Sequence, residues 1–245
     1  MSTDVGGSAV VVGGASGIGA AVAARYRAAD RPVLVWDVRG DADVECDVTD
    51  EAQIDAALAA TLAHFGTTPT EITITAGIGH SGLLTEVERT DWDRVLAVNL
   101  TGPWLVMRAW ARHFTERGLE ASIVATSSVS ARLVDRSMGA YCTSKAALSM
   151  TVRVAAAEWA PAIRVNAVGP GVTATPMLGN APVDSGWLKD VAGRTALGRL
   201  GTADDIAEAV LALHGLGWIT GQVLEVDGGL SLHSPINAWD ASHPS

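Results

Sequence analysis

Tyr141 and Lys145 stand four residues apart in the run Ala140-Tyr141-Cys142-Thr143-Ser144-Lys145. Within a helix, that step stacks two side chains on one face. An ammonium beside a phenol favours the ionised form, so the spacing predicts a tyrosine with a lowered pKa. Such a tyrosine exchanges a proton with an alcohol or ketone near neutral pH. Ser128 lies thirteen residues before Tyr141, and its hydroxyl could hold the same substrate oxygen. Each of these residues is common alone. Their order behind a glycine loop gives them meaning, and together they suggest hydride transfer.

That loop is Gly13-Gly14-Ala15-Ser16-Gly17-Ile18-Gly19. It follows a short apolar run, Ala9 to Val12, and precedes small and apolar residues from Ile18 to Ala29 that suit a close-packed helix. Between a strand and a helix, glycines let the backbone approach a pyrophosphate, and the helix N-terminus supplies free N–H groups. Asp37 ends a second apolar run, Val33 to Trp36, about 20 residues beyond the loop. A carboxylate there accepts hydrogen bonds from ribose hydroxyls and repels a 2′-phosphate, which favours NAD over NADP. The plainer reading is a surface carboxylate at a strand end. Arg39 could offset it by turning toward a phosphate. Asp47, followed by Val48, could face an adenine amino group or be an ordinary loop residue. Asn99 falls mid-helix, where its amide competes for backbone hydrogen bonds. It could kink the helix and bind a water, or simply face solvent.

The elements that must position these residues alternate. Helices are predicted for Asp50 to Phe65, with Asp50 as N-cap, and for Trp92 to His113 in two pieces around Asn99, Gly102 and Pro103. Two more run from Gly139 to Trp159 and from Thr202 to His214, the latter with Thr202 as N-cap. Strands are predicted at Ile72 to Thr75, Ser122 to Ala125, Ile163 to Val168 and Gln222 to Val226. Strand and helix in turn argue for an α/β fold with a doubly wound parallel sheet, read as one domain over residues 1–245. The stretch 176–201 breaks the alternation and reads as a substrate loop or lid. The tail 230–245 has no clear period.

The 245-residue chain is 48% hydrophobic and 18% charged, enough for a large core. Its net charge of −10 and 17 thinly spread Lys and Arg argue against nucleic acid. Two cysteines, Cys46 and Cys142, make neither a metal motif nor a disulfide framework, and they fit a reduced cytoplasmic setting. No segment reads as a signal peptide or as long enough to span a bilayer. The six histidines show no ligand spacing, so no metal is expected. No Gly-x-Ser-x-Gly elbow is present, which argues against a serine hydrolase.

These residues resemble the classical short-chain dehydrogenase/reductase family from about Ala9 to Gly229. Gly13 to Gly19 is similar to its Thr-Gly-x-x-x-Gly-x-Gly loop, with Gly13 standing where threonine is usual. Thr75-Ala76-Gly77 resembles its Asn-Ala-Gly, with threonine replacing asparagine. Pro170-Gly171-Val172-Thr173-Ala174-Thr175 resembles its Pro-Gly segment on the nicotinamide side, and Val226-Asp227-Gly228-Gly229 its last strand and turn. Asn99, Ser128, Tyr141 and Lys145 match its catalytic tetrad.

The resemblance implies a Rossmann fold and defined roles. Tyr141 would be the general acid/base, and Lys145 would tune it and hold the nicotinamide ribose. Ser128 would bind the reacting oxygen, and Asn99 would hold a relay water. NAD would lie against Gly13, Ser16, Gly17, Ile18, Gly19, Asp37, Asp47, Val48, Ala76, Gly77, Asn99, Tyr141, Lys145, Pro170, Gly171, Val172 and Thr175. A homotetramer or dimer through the two long helices is also implied. Loop placement puts Leu133, Val134, Met138, Met177, Leu178 and Trp187 on the substrate side, with Arg132, Arg136 and Lys189 as the nearby cations. This mostly apolar set favours a hydrophobic secondary alcohol or its ketone. A 3-oxoacyl-carrier-protein reductase, a cyclic dihydrodiol dehydrogenase and a non-catalytic dinucleotide sensor are the alternatives.

Overall fold

The computed structural model describes residues 7–38, 40–180 and 186–232. Arg39, residues 181–185 of the expected substrate loop, and residues 233–245 of the tail lie outside them. In chain order the elements are β1 (Ala9–Val12), α1 (Gly17–Ala28), β2 (Val33–Asp37), β3 (Val44–Glu45), α2 (Glu51–Phe65) and β4 (Glu71–Ile74). Then come α3 (Arg89–Leu96), a π-helical turn (Ala97–Thr101), α4 (Gly102–Arg117), β5 (Ala121–Thr126) and α5 (Gly139–Trp159). The chain continues with β6 (Ile163–Pro170), β7 (Thr173–Ala174), α6 (Trp187–Arg194), β8 (Gly201–Thr202), α7 (Ala203–Gly215) and β9 (Val223–Val226).

Seven strands form one parallel sheet in the order β3-β2-β1-β4-β5-β6-β9. The chain leaves β1 first toward β2 and returns on its other side at β4, so a crevice opens beyond the ends of β1 and β4. Helices cover both faces, which is why β1 and β5 are continuous buried runs rather than alternating ones. One core gathers Trp36, Met107, Trp110, Phe114, Ile123 and Leu148 between the sheet and α2, α4 and α5. In it the Trp110 ring stacks on Trp36 and Phe114 at centroid distances of 5.8 and 5.6 Å. The other core packs Val22, Tyr26, Ile206 and Val210 of α1 and α7 on the opposite face.

Local chemistry sets the helix ends. Asp50 Oδ1 accepts from Ala52 N at 2.9 Å and starts α2, while Gly66 ends it in the left-handed region at φ 67°. Thr202 and Asp205 cap α7 reciprocally. β1 and α5 keep their predicted bounds, those of other predicted elements shift by a residue or a few, and the strand predicted to end at Thr75 stops at Ile74. Three short strands and one helix were not expected from the sequence. β3, β7 and β8 are two residues each, too short to show a period. The stretch expected to be only a lid contains α6, whose N-cap is Gly186 at φ 73°.

Where α7 packs on the central strands β4 and β5, His214 is buried. Its Nε2 pairs with Thr73 Oγ1 at 2.9 Å and its Nδ1 with Ser122 Oγ at 3.0 Å. Burial pulls its pKa down from 6.5 to about 4, with Glu71 acting the other way. The imidazole is therefore neutral in the folded chain, and an unfolded histidine takes a proton first as the pH falls. Stability contributed by this group is complete above pH 6.5 and is lost as the pH falls toward 4, by about 3 kcal/mol at most. Urea midpoints measured across that window should fall, and His214→Gln should flatten the slope there.

Candidate active site

α5 and the loop after β5 bring the predicted catalytic residues together. Lys145 is 3% exposed, and its Nζ donates to Thr126 O at 2.8 Å. The same Nζ lies 5.7 Å from the centre of the Tyr141 ring. Ser127 braces the helix from the end of β5, with Oγ 2.7 Å from Ser149 Oγ and 3.2 Å from Lys145 O. Ser128 follows in extended conformation, and its Oγ accepts from Ser130 N at 3.1 Å. Between Ser128 and Tyr141 the chain comes to the surface at Asp135 and Arg136, which are exposed, and turns inward again at Ala140, which is buried.

The electrostatics correct one expectation. Burial holds the Tyr141 phenol above its usual range, and a hydrogen bond with Ser128 pulls the other way. Burial lowers Lys145 to about 8. Desolvation drives both groups toward their neutral forms. The ammonium is directed at the Thr126 carbonyl, so helix spacing alone did not predict the phenol's direction.

The helix is interrupted around Asn99 by the π turn Ala97–Thr101, and Asn99 departs from the solvent-facing reading. It is 0% exposed, and its side chain is committed to protein partners. Oδ1 accepts from Ile78 N at 2.8 Å, while Nδ2 donates to Ile78 O at 2.9 Å and to Ser144 Oγ at 3.2 Å. Ser144 Oγ in turn donates to Tyr141 O at 2.7 Å. The π turn that carries Asn99 thus ties the segment after β4 to the catalytic helix. A Cβ on Gly77 would stand 3.4 Å from Asn99 Oδ1 and 3.5 Å from Lys145 Nζ, so this glycine keeps the backbone close to the lysine.

On the nucleotide side, the eight-position family pattern ending at Gly19 begins at Val12. Val12, not Gly13, therefore stands where threonine is usual, and Gly13 is the pattern's first glycine. Gly13 has φ 80°, and a Cβ there would collide with Ala76 N, so only glycine fits. Thr75 supplies the hydroxyl that Val12 lacks. Its Oγ1 donates to Val12 O at 3.0 Å and to Gly13 O at 2.9 Å. The two departures from the family pattern thus offset each other across the β1–β4 crevice.

Asp37 ends β2 against this loop, its Oδ2 accepting from Ala15 N at 3.1 Å. Ser16 makes no side-chain cap bond, and the first turn of α1 holds no acidic residue. The α1 N-terminus therefore suits a phosphate, and Ile18 packs on the neighbouring core. A Cβ on Gly17 would lie 3.5 Å from Thr175 Cβ, which brings the Pro170-Gly171-Val172 segment and Thr175 opposite the loop. Asp47 is spent locally, accepting from Thr49 N and Thr49 Oγ1 at 2.8 and 2.7 Å. Val48 is buried against Gly102 at the start of α4. These residues fit a dinucleotide.

The expected substrate side is less uniform. Val134 is 92% exposed, which is not the setting of a pocket wall. Met138 is partly buried and bridges to Gly82, so the segment after Ile78 forms the wall beside it. Leu178 is partly buried, while Met177 and Trp187 are more exposed and flank residues outside the described set. Sequence reasoning missed Ile78, Ser130 and Asp135. Only the position of Ser130 and Asp135 between Ser128 and Tyr141 could have marked them. Among the described residues, no group of three His, Cys, Asp or Glu could hold a metal.

Thr75→Ala removes both hydroxyl bonds and leaves the Val12 and Gly13 carbonyls with one partner fewer, at a cost of about 1–2 kcal/mol. The dissociation constant for the reduced dinucleotide, followed by nicotinamide fluorescence, should rise severalfold, and Thr75→Ser should restore it.

The sequence matches the family model described as Enoyl-(Acyl carrier protein) reductase over residues 13–231. It is 34% identical over 243 residues to 2,5-dichloro-2,5-cyclohexadiene-1,4-diol dehydrogenase LinX of Sphingobium indicum, covering 91% of this chain and 96% of that protein. It is also 34% identical over 240 residues to cis-4-hydroxycyclohexanecarboxylate dehydrogenase of Sinomonas cyclohexanicum, covering 90% and 95%. Among solved structures, the ligand-free aldohexose dehydrogenase of Thermoplasma acidophilum superposes with a TM-score of 0.87 at 30% identity, covering 95% of this chain and 96% of that one. The chain belongs to the short-chain dehydrogenase/reductase family, oxidoreductases that act on hydroxyl or carbonyl groups with a nicotinamide dinucleotide.

Proposed function

We propose that the protein interconverts a hydrophobic secondary alcohol and its ketone with NAD(H), and that the alcohol is carried on a ring. The observation that carries the NAD assignment is Asp37, a carboxylate at the end of β2 hydrogen-bonded to the glycine loop at Ala15 N. A 2′-phosphate beside it would meet like charge. The ring is supported by the relatives, both named as dehydrogenases of a hydroxylated six-membered ring. The family model's description names an acyl-carrier substrate, but a chain of net charge −10 is a poor match for an acidic carrier.

In this reading the glycine loop, Asp37, Ala76, Gly77 and the Pro170–Thr175 segment hold the dinucleotide. The nicotinamide supplies hydride transfer when bound. Ser128 Oγ holds the substrate oxygen, and Tyr141 Oη takes the proton from the alcohol or returns it to the ketone. Lys145 carries positive charge beside that phenol and exchanges protons at Nζ, since a pKa near 8 lies close to working pH. Asn99 is a positioning residue, because its amide is committed to Ile78 and Ser144. Partly exposed Trp104 on α4 and exposed Met150 and Val154 on α5 support assembly into a homotetramer or dimer through these helices. The free cysteines support a cytoplasmic setting, and no described helix is long and apolar enough to cross a membrane.

The test is reduced-nicotinamide absorbance with ring alcohols, comparing NAD with NADP. NAD should be preferred at least about tenfold, and Asp37→Ala should narrow that preference. Tyr141→Phe should lower turnover by about 10²–10⁴-fold while leaving NADH binding intact. A preference for NADP, or a Tyr141→Phe variant that turns over normally, would overturn the reading.

A further inference from the structure

The loop between Ser128 and Tyr141 carries a carboxylate that the roles above leave unused. Asp135 is exposed, yet its Oδ2 accepts a 2.5 Å hydrogen bond from Ser130 Oγ. Ser130 itself is buried, and its backbone N–H donates to Ser128 Oγ at 3.1 Å. The two ends of one residue thus hold the catalytic serine hydroxyl and the Asp135 carboxylate.

The backbone around Asp135 is built rather than loose. Asp135 O accepts from Met138 N at 3.1 Å, closing a turn immediately before α5. Within that turn Ser137 has φ 72°, a left-handed conformation that a non-glycine residue rarely adopts. Its neighbours hold it there. Ser137 O accepts from Gly82 N at 2.7 Å, and Ser137 Oγ lies 3.2 Å from Ser81 Oγ. The turn is therefore stapled to the segment that follows Ile78, whose backbone Asn99 clamps. Asp135 also lies close enough to Tyr141 for its charge to raise the phenol's pKa.

A carboxylate offers about four lone-pair sites, and Ser130 fills one. Of the nearby arginines, Arg132 is drawn to Glu225 at 2.7 Å and does not neutralise the loop carboxylate. We propose that Asp135 is a specificity-determining residue, accepting a hydrogen bond from a second hydroxyl of the substrate. The site then prefers neutral diols and polyols over monoalcohols and disfavours hydroxy acids. A site that hydrogen-bonds a hydroxyl discriminates against the analogue lacking it, and like charge repels a substrate carboxylate. This inference rests on the ring-alcohol reading above.

The experiment measures kcat/KM with NAD for cyclohexanol, cyclohexane-1,4-diol and 4-hydroxycyclohexanecarboxylate in wild type, Asp135→Ala and Asp135→Asn. Wild type should favour the diol over cyclohexanol by about tenfold, mainly in KM. Asp135→Ala should bring that ratio to about one. Asp135→Asn, whose amide carbonyl still accepts, should keep much of the ratio and raise the hydroxy acid by about tenfold. A ratio unchanged in Asp135→Ala overturns the proposal. So does an equal fall in kcat for all three substrates, which means the carboxylate only supports the loop. Wild type silent on every ring alcohol overturns the ring-alcohol reading and this proposal together, whereas ring turnover indifferent to Asp135 overturns this proposal alone.

Discussion

A parallel sheet buried on both faces sends every strand's C-terminal end to the same side, and the site exists because of that constraint. The glycine loop leaves β1 there, Asp37 ends β2, Thr75 follows β4, Ser128 follows β5 and Gly171 follows β6. No single element carries the chemistry. The crevice between β1 and β4 lets the first three converge, while α5 lies across the sheet and presents Tyr141 and Lys145 to the fourth. Thr75 shows how tightly this depends on the crossover. One hydroxyl satisfies carbonyls on the neighbouring strand and its loop, more than sixty residues away in sequence.

Desolvation governs the site's charges. The surroundings that bury Lys145 and Tyr141 favour the neutral form of each. The lysine stays useful because the Thr126 carbonyl accepts its hydrogen bond and its pKa remains above neutrality. Asn99 plays a mechanical part, joining the Ile78 backbone to the catalytic helix through Ser144. The same burial logic under α7 keeps His214 neutral between two hydroxyls of the central strands. Asn99 and His214 are accommodated in the interior because neighbouring strands, helices and loops supply their partners.

Much of this was legible before folding. α5 runs over the residues predicted for it, because a stretch without proline or glycine between Gly139 and Pro161 has no reason to stop earlier. Asp50 and Thr202 cap the helices they were expected to cap, since a short polar side chain before an apolar period has a local use for its oxygen. Two-residue strands such as β3 and β7 carry too few side chains to show alternation, and they exist only because a neighbour pairs with them. α6 was hidden by the glycines and prolines around it.

The types and order of Ser128, Tyr141 and Lys145, the glycine loop before them and the carboxylate at Asp37 identify the family and its chemistry, because motif spacing is a property of the chain alone. Tertiary structure alone decided the sign of the Tyr141 shift, the partners of Asn99, the exchange between Val12 and Thr75, and the seating of Asp135 on Ser130. Each depends on burial or on a contact between segments distant along the chain or held by a turn. Desolvation and long-range hydrogen bonds have no local signature, so they appear only when the sheet has brought those segments together.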